Sequence, residues 1–435
     1  MRTTFHLKTL AVAIATLSVA SMTNAAGLDR SGQDVTAFFQ DGTYAEAAYT
    51  YIDADVSGYD TANSDPYSND YERGNKTGDI AEAYDFFRYG VKADINDTFS
   101  VGILYDEPFG AAAEYTQSNF VASDSFAESF GELAADGVDP QTAGAIATAE
   151  ATTAGENTNV EVRSQSLTGI LGMKFGANKN FQVYGGPVAQ RIQSTTKLRG
   201  LAYGPATGYT STSNPDMEYG YIAGLAFSKP EIALKAALTY RSEIEHDANT
   251  SETYPIRSIA SGGALSDTRS GKIEVTTPQS VNFDFQTGIN PTTLATAKVR
   301  WVPWSDFVLT PPLYNEVSQG RYPPNGLNLV EYNDDQWQVE LGLAKRVAPA
   351  LAISGTVGWD SGTGDETTSL GPIDGYYSVG LGAKYNVTEN WAISAGGKYL
   401  WFGDAKGQLP SGKLVGDFQD NDGYIAGVKV SYQAR

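Results

Sequence analysis

Few residues in this chain are equipped for covalent chemistry. It has no cysteine and two histidines, and one of these, His6, lies in a stretch read below as a cleaved leader. The other, His246, stands beside Asp247. A hydrolase needs an imidazole positioned against a nucleophile and an orienting acid, and no motif around His246-Asp247 supplies them. No His/Cys cluster exists to ligate a metal. The expectation is a protein that is not an enzyme and carries no cofactor. What the chain offers instead is binding chemistry. Arg241 and Arg88 are cations within alternating apolar stretches, where a cation suits a carboxylate head group. Phe126, Phe130, Leu133 and Ile146 supply apolar surface in a polar region. In YDEPFG, Pro108 lacks an N–H, Phe109 follows it, and Gly110 accepts dihedrals that other residues avoid.

The elements that must position these residues are strands. GLGAKYNVTENWAISAGG, 380–397, reads as strand, tight polar turn, strand. Five more stretches repeat it: VKADINDTFSVGI, GMKFGANKNFQVYGG, GLAFSKPEIALKAAL, DFQTGINPTTLATAKV and ELGLAKRVAPALAISGTV. Turn formers between alternating residues are the signature of hairpins. Six turns join twelve strands in pairs. One strand more precedes the first pair, around 44–53, and one follows the last, 424–432. The count is fourteen, even, with both ends on the short-turn side, as bacterial transmembrane barrels require.

Residues 1–25 read as a secretory leader: a basic MRTTFHLK, an apolar TLAVAIATLSVA, and a small-residue cleavage site ending at Ala25. Beyond it no run of eighteen apolar residues offers a spanning helix. The outward rows of the strands end in aromatics. Trp391 and Trp401 close one such row around Ile393, Ala395, Gly397 and Tyr399, and ten residues at the usual tilt span about 25 Å, the height of the apolar band. The reading is an all-β, 14-stranded antiparallel transmembrane β-barrel over 45–435, multi-pass in the bacterial outer membrane. Its partners there are membrane lipid and lipopolysaccharide, and a monomer is expected. Long extracellular loops fall near 56–82, 111–160, 194–217, 244–272, 306–335, 361–374 and 404–420. The formal charge is −21, and losing Arg2 and Lys8 with the leader makes it −23. Nucleic acid is not an expected partner.

Between leader and barrel, 26–44 mixes Leu28, Val35, Phe38 and Phe39 with Asp29, Arg30 and Asp41. Its apolar content asks for burial, and the expectation is an N-terminal hatch, or plug, in the lumen. Pro108 in strand three leaves two outcomes open: a bulge absorbs the missing donor, or the wall parts. GGP at 185–187 raises the same question in strand five. The loop at 111–160 is expected to be partly helical, with Asp139 as an N-cap ahead of Pro140. Phe126, Phe130, Leu133 and Ile146 then become candidate capture residues. Strand alternation turns Lys235, Thr239, Arg241 and Glu243 into the lumen. Arg241, with Arg88 behind it, either receives an acidic head group or pairs structurally with Glu243.

Three stretches resemble a known family. LTYRSEIE (238–245), TPQSVNFDFQTGINPTTLATAKVRWVPWSDF (277–307) and LGPIDGYYSVGLGAKY (370–385) look like the FadL/TodX outer-membrane transporters. The resemblance implies a 14-stranded barrel with an N-terminal hatch. It further implies passive diffusion of long-chain fatty acids or other hydrophobic compounds, and a kinked third strand through which ligand leaves sideways. YDEPFG occupies that place here. The chain departs from the family in lacking the hatch's Asn-Pro-Ala motif, in carrying its helical insert after strand three, and in ending SYQAR. The rival readings are a general aqueous porin and an outer-membrane hydrolase.

Overall fold

The computed structural model describes residues 28–434. The expected leader, 1–25, lies outside the described residues. Fourteen antiparallel strands close into one barrel. In chain order they are β1 (Thr43–Asp55), β2 (Tyr84–Asp94), β3 (Phe99–Asp106 and Gly110–Glu114), β4 (Asn159–Phe175) and β5 (Phe181–Lys197). There follow β6 (Thr210–Lys229), β7 (Leu234–Arg241 and Ile244–Thr253), β8 (Thr268–Thr277 and Ser280–Asn290), β9 (Thr293–Val302) and β10 (Gln336–Ala348). The last four are β11 (Leu351–Asp360), β12 (Asp374–Asn386), β13 (Trp391–Gly403) and β14 (Asp422–Ala434). Closure comes from β1 pairing β14, with Thr43 opposite Ala434 and Asp55 opposite Asp422. A closed ladder leaves no edge in the hydrocarbon layer.

The alternation read from the sequence is the alternation of the wall. Trp391, Ile393, Tyr399 and Trp401 are exposed on the outside, while Ala392, Ser394 and Lys398 are buried. Aromatics meet across strands at both rims. Trp301 lies opposite Trp337, and Tyr377 opposite both Trp359 and Trp401. At the short-turn rim Trp391 lies opposite Tyr432, and Phe181 opposite Phe227.

Two of the expected loops are shorter than expected. The ladder continues into 244–272 as the outer halves of β7 and β8, leaving Pro255–Ala260 as a helix at the tip. It likewise continues to Lys197 and resumes at Thr210. Polar Thr, Ser and Glu residues there carry no apolar alternation to signal a strand, yet backbone pairing alone extends it. The loop after β3 holds α1 (Phe126–Ala135) and α2 (Pro140–Ala151). Asp139 caps α2, accepting from Gln141 N and Thr142 N with Pro140 in the first turn, as its sequence requires. Three other loops contribute Ser57–Thr61, Arg73–Asp79, Glu366–Thr368, Ala405–Gln408 and Leu414–Phe418 to a second sheet. Val415 and Phe418 of that sheet join Ile52, Leu400 and Phe402 of the barrel in one buried cluster.

Candidate transport site

Residues 28–42 run inside the barrel, and their apolar side chains are buried there: Val35 and Phe38 are almost wholly inaccessible. Because β1 starts at Thr43, the lumenal segment ends two residues short of the expected boundary at 44. Phe38 and Phe39 pack on Tyr184 of β5 at 5.8 and 5.3 Å between ring centroids. Charge holds the rest. Asp29 accepts from Arg300 Nε at 2.6 Å, and Asp34 takes Lys298 Nζ at 2.7 Å and Arg88 at 3.7 Å. Arg88 also meets Glu46 of β1 at 3.3 Å. Main-chain carbonyls of the segment receive Lys92, Lys235 and Asn282 from the wall. Removing one partner from such a buried pair leaves the other charge uncompensated, which costs about 3–5 kcal/mol.

The wall beside this segment is broken. β2 and β3 pair from Asp94–Ser100 to Tyr89–Tyr105, and there the ladder stops. Pairing resumes only at the bridge between Ala81 and Ala113. In between, Glu107 and Pro108 leave the strand and Phe109 turns inward, meeting Trp304 edge-on at 5.8 Å. The freed groups are satisfied from inside. Phe109 N donates to Ser164 Oγ at 2.8 Å, Gly110 N to Leu28 O at 2.8 Å, and Pro108 O accepts from Arg30 N at 2.8 Å. The N-terminal segment thus stands in for the missing ladder partner on the lumenal side, as lipid-facing orphans would each cost several kcal/mol. GGP in β5 behaves otherwise. Gly186 lies so close to Gly169 that an added Cβ would fall 1.9 Å from its carbonyl oxygen, and β5 stays paired with β6 through Pro187.

Above the segment, towards the extracellular side, lies a cavity of about 1050 Å³. Ile52, Val56, Ile80, Val160, Val162 and Leu370 supply its apolar walls, and Arg30 and Tyr84 stand at its edge with Ala111, Ala112 and Ala113. Tyr84 and these alanines are residues on the two sides of the break. The cavity has the apolar lining of a pocket for a small hydrophobic molecule. Sequence reasoning missed it, since its walls come from nine separate stretches with no shared motif.

The expected site residues divide. Arg241 points inward and is buried, donating to Thr168 Oγ1 at 3.0 Å, but it does not line the cavity. Arg88 is committed to Asp34 and Glu46. Of the candidate capture residues, Leu133 and Ile146 are fully buried against Val138, Ala143 and Leu201, so they form the core of the α1–α2 hairpin and not a binding face. Phe126 is exposed and stacks on the half-buried Phe130 at 5.8 Å. In the same hairpin Glu150 is buried, and burial pushes its carboxyl above the ordinary range. His246 turns away from Asp247. It is buried, 3.1 Å from Gln190 Oε1 and 3.6 Å from Asp216, while Asp247 pairs with Lys272 on the surface. Among the described residues no group of His, Cys, Asp and Glu could hold a metal.

A closed barrel whose strands carry aromatic rims and whose lumen holds a folded segment beneath an apolar cavity defines an outer-membrane transport protein. The sequence matches the family model for outer membrane protein transport proteins (OMPP1/FadL/TodX) over residues 18–433, and the chain belongs to that family. Similar solved structures include a Pseudomonas aeruginosa FadL homologue at 15% identity and TM-score 0.64, covering 96% of this chain and 97% of that one. The P. putida toluene transporter TodX follows at 14% and 0.56, covering 92% of each. The Ralstonia pickettii toluene transporter TbuX stands at 10% and 0.54, covering 98% of each. No curated protein matches the sequence.

Proposed function

We propose that the protein carries long-chain fatty acids or other hydrophobic compounds passively across the outer membrane, releasing them sideways through the break between β2 and β3. One observation carries this reading: the apolar cavity is lined by Tyr84 and Ala111–Ala113, so it abuts the one stretch where β2 and β3 lack a ladder. A hydrophobic solute gains from leaving water for the cavity and gains again from entering lipid, so no energy source is needed. Extracellular loops supply the first contact, with Phe126 as the exposed aromatic. Residues 28–42 act as the hatch, lending Leu28 and Arg30 backbone groups to the break. An aqueous porin fits less well with a lumen crossed by that segment. The toluene transporters among the similar structures favour a hydrophobic cargo in general.

The test replaces Glu107-Pro108-Phe109-Gly110 with Thr-Val-Thr-Val, completing the ladder. The variant is expected to fold and insert, to bind ligand, and to transport none. Normal uptake by the sealed, folded variant would move the exit to the periplasmic mouth.

A further inference from the structure

We infer that the outer face of β4 and β5 binds a phosphorylated lipid head group of the outer leaflet, the phosphate of the lipid A part of lipopolysaccharide, and that Arg191 and Arg163 receive it. This site lies on the membrane-facing side of the wall and is independent of how cargo leaves the lumen.

The aromatic girdle at the extracellular rim lapses on these two strands. Counted from the short-turn rim, Trp391 to Trp401 on β13 is ten residues, and so are Phe181 to Arg191 on β5 and Phe175 to Gln165 on β4. Equal counts at a common strand tilt reach the same level. Where β13 carries tryptophan, β5 thus carries arginine and β4 glutamine. The flanking strands keep their aromatics: Tyr89 and Tyr105 stand outward on β2 and β3, and Tyr219 and Tyr221 on β6. In the gap Gln165 lies opposite Arg191, and Arg163 opposite Gln193. All four line one recess on the outside of the wall, together with Asp85, Phe87 and Glu107. Lipid-facing cations are costly at the bilayer midplane and tolerated near the interface, so these stand at the height of head groups. Below them the outward row of β4 turns apolar, with Leu167, Leu171 and Met173 exposed, as an acyl chain requires.

The positive charge on this face is open to a partner. Arg191 is exposed and forms no ion pair among the described residues. Arg163 pairs with Glu161 at 2.9 Å and stands 4.9 Å from the centroid of the Tyr84 ring. Both members of that pair are solvent-exposed, and such pairs are weakly held, so a phosphate can take the place of the glutamate. The two acids of the recess already have hydroxyl partners: Glu107 accepts from Tyr105 at 3.3 Å, and Asp85 from Tyr49. They close the recess on the β2–β3 side and leave the anion the β4–β5 side. Guanidinium forks match phosphate oxygens in pairs, and glutamine amides both donate to and accept from sugar hydroxyls. Lipid A supplies phosphate on an amino sugar with acyl chains beneath it. It is also the lipid that meets the extracellular rim of an outer-membrane barrel. A phospholipid supplies the phosphate without the sugar rings.

Purified full-length protein in non-ionic detergent, titrated with diphosphoryl lipid A and with the same lipid stripped of its phosphates, tests the site. The wild type should bind the phosphorylated form about 10- to 100-fold more tightly, the range of one charge-assisted hydrogen bond. Arg163→Gln combined with Arg191→Gln should erase that preference, and Arg163→Lys with Arg191→Lys should retain part of it. Arg191→Gln alone should remove more of it than Arg163→Gln alone, because Arg163 is shared with Glu161. Lys345→Gln, which removes an exposed cation near the short-turn end of β10, should leave it intact. Inorganic phosphate and phosphatidylglycerol, added as competitors, should each displace lipid A only at more than ten times its concentration. Equal affinity of the wild type for the two forms of lipid A overturns the inference, and that comparison needs no variant to fold. A preference that survives the double glutamine variant, or falls equally in Lys345→Gln, overturns it as well. Displacement by inorganic phosphate at equal concentration would make this a site for the free anion, and displacement by phosphatidylglycerol a site for any anionic lipid; either result ends the assignment to lipid A.

Discussion

The two longest interruptions of the ladder in the barrel wall are filled differently. Between β2 and β3 the ladder lapses from Tyr89–Tyr105 to the Ala81–Ala113 bridge. Between β6 and β7 it lapses from Ile222–Arg241 to Ser213–Thr250. The first break is met from inside by another segment's main chain, and it opens onto an apolar cavity. The second is filled by the strands' own side chains. Ser242 exchanges hydrogen bonds with Tyr221, Ile244 lies where a Cβ on Gly220 would sit, and His246 reaches Asp216 and, with Thr277, Gln190. Neither the apolar cavity nor the recess beside Arg163 and Arg191 is lined by this cluster. A missing ladder therefore does not by itself open onto a cavity. What distinguishes the two is whether the gap is filled by side chains fixed to its own rim or by a separable segment beside a pocket.

The largest expected effect sets the two breaks against each other. Sealing 107–110 with Thr-Val-Thr-Val should reduce fatty-acid uptake to that of cells lacking the protein. Asp216→Val combined with His246→Val, which makes the second break apolar, should leave uptake unchanged. Equal losses in both variants would abolish the distinction.

Next in size is the anchoring of the separable segment. Arg300→Ala strands the buried Asp29 carboxylate, at a cost of about 3–5 kcal/mol. Faster hydrogen exchange should follow at Arg30 N and Gly110 N, which bridge the segment to β3, and not at the β6–β7 break. Unchanged exchange at those two amides would mean that the segment is held by its aromatic end alone.

A smaller effect is expected from the polar filling. Gln190→Leu removes the shared acceptor of His246 and Thr277, leaving buried donors unmet, and should destabilise the barrel by about 1–3 kcal/mol. Urea unfolding in detergent measures this, with transport preserved. A transport loss at wild-type stability would make the second break functional as well.

The smallest lies outside both breaks. Phe126→Ser should weaken initial capture by a few-fold at most, since the ring is already half exposed. Leu133→Ser should instead disorder the α1–α2 hairpin, visible as protease cleavage within 126–151. Equal behaviour of the two would show that Phe126 is structural too.

The strand count, the turns, the aromatic rims and the caps of α2 were legible in the sequence because each is local. Alternation is a property of neighbouring residues, and Asp139-Pro140 caps a helix within its own first turn. Pro108 and Gly110 likewise announced that β3 must fail somewhere. The sequence could not say what meets the failure, because Ser164, Leu28 and Arg30 lie far from Pro108 along the chain and carry no mark of it. Nor could it choose among the lumenal arginines. Alternation turned Arg88 and Arg241 inward correctly, yet the folded chain gives Arg88 two carboxylates and Arg241 a threonine, and leaves Arg30 facing apolar walls. Local pattern determined which way side chains point within the regular strands, though not at the irregularity in β7 where Glu243, expected in the lumen, is exposed. Only the closed barrel, by bringing distant stretches to one height and one side of the lumen, decided which charges are neutralised and which remain to be met.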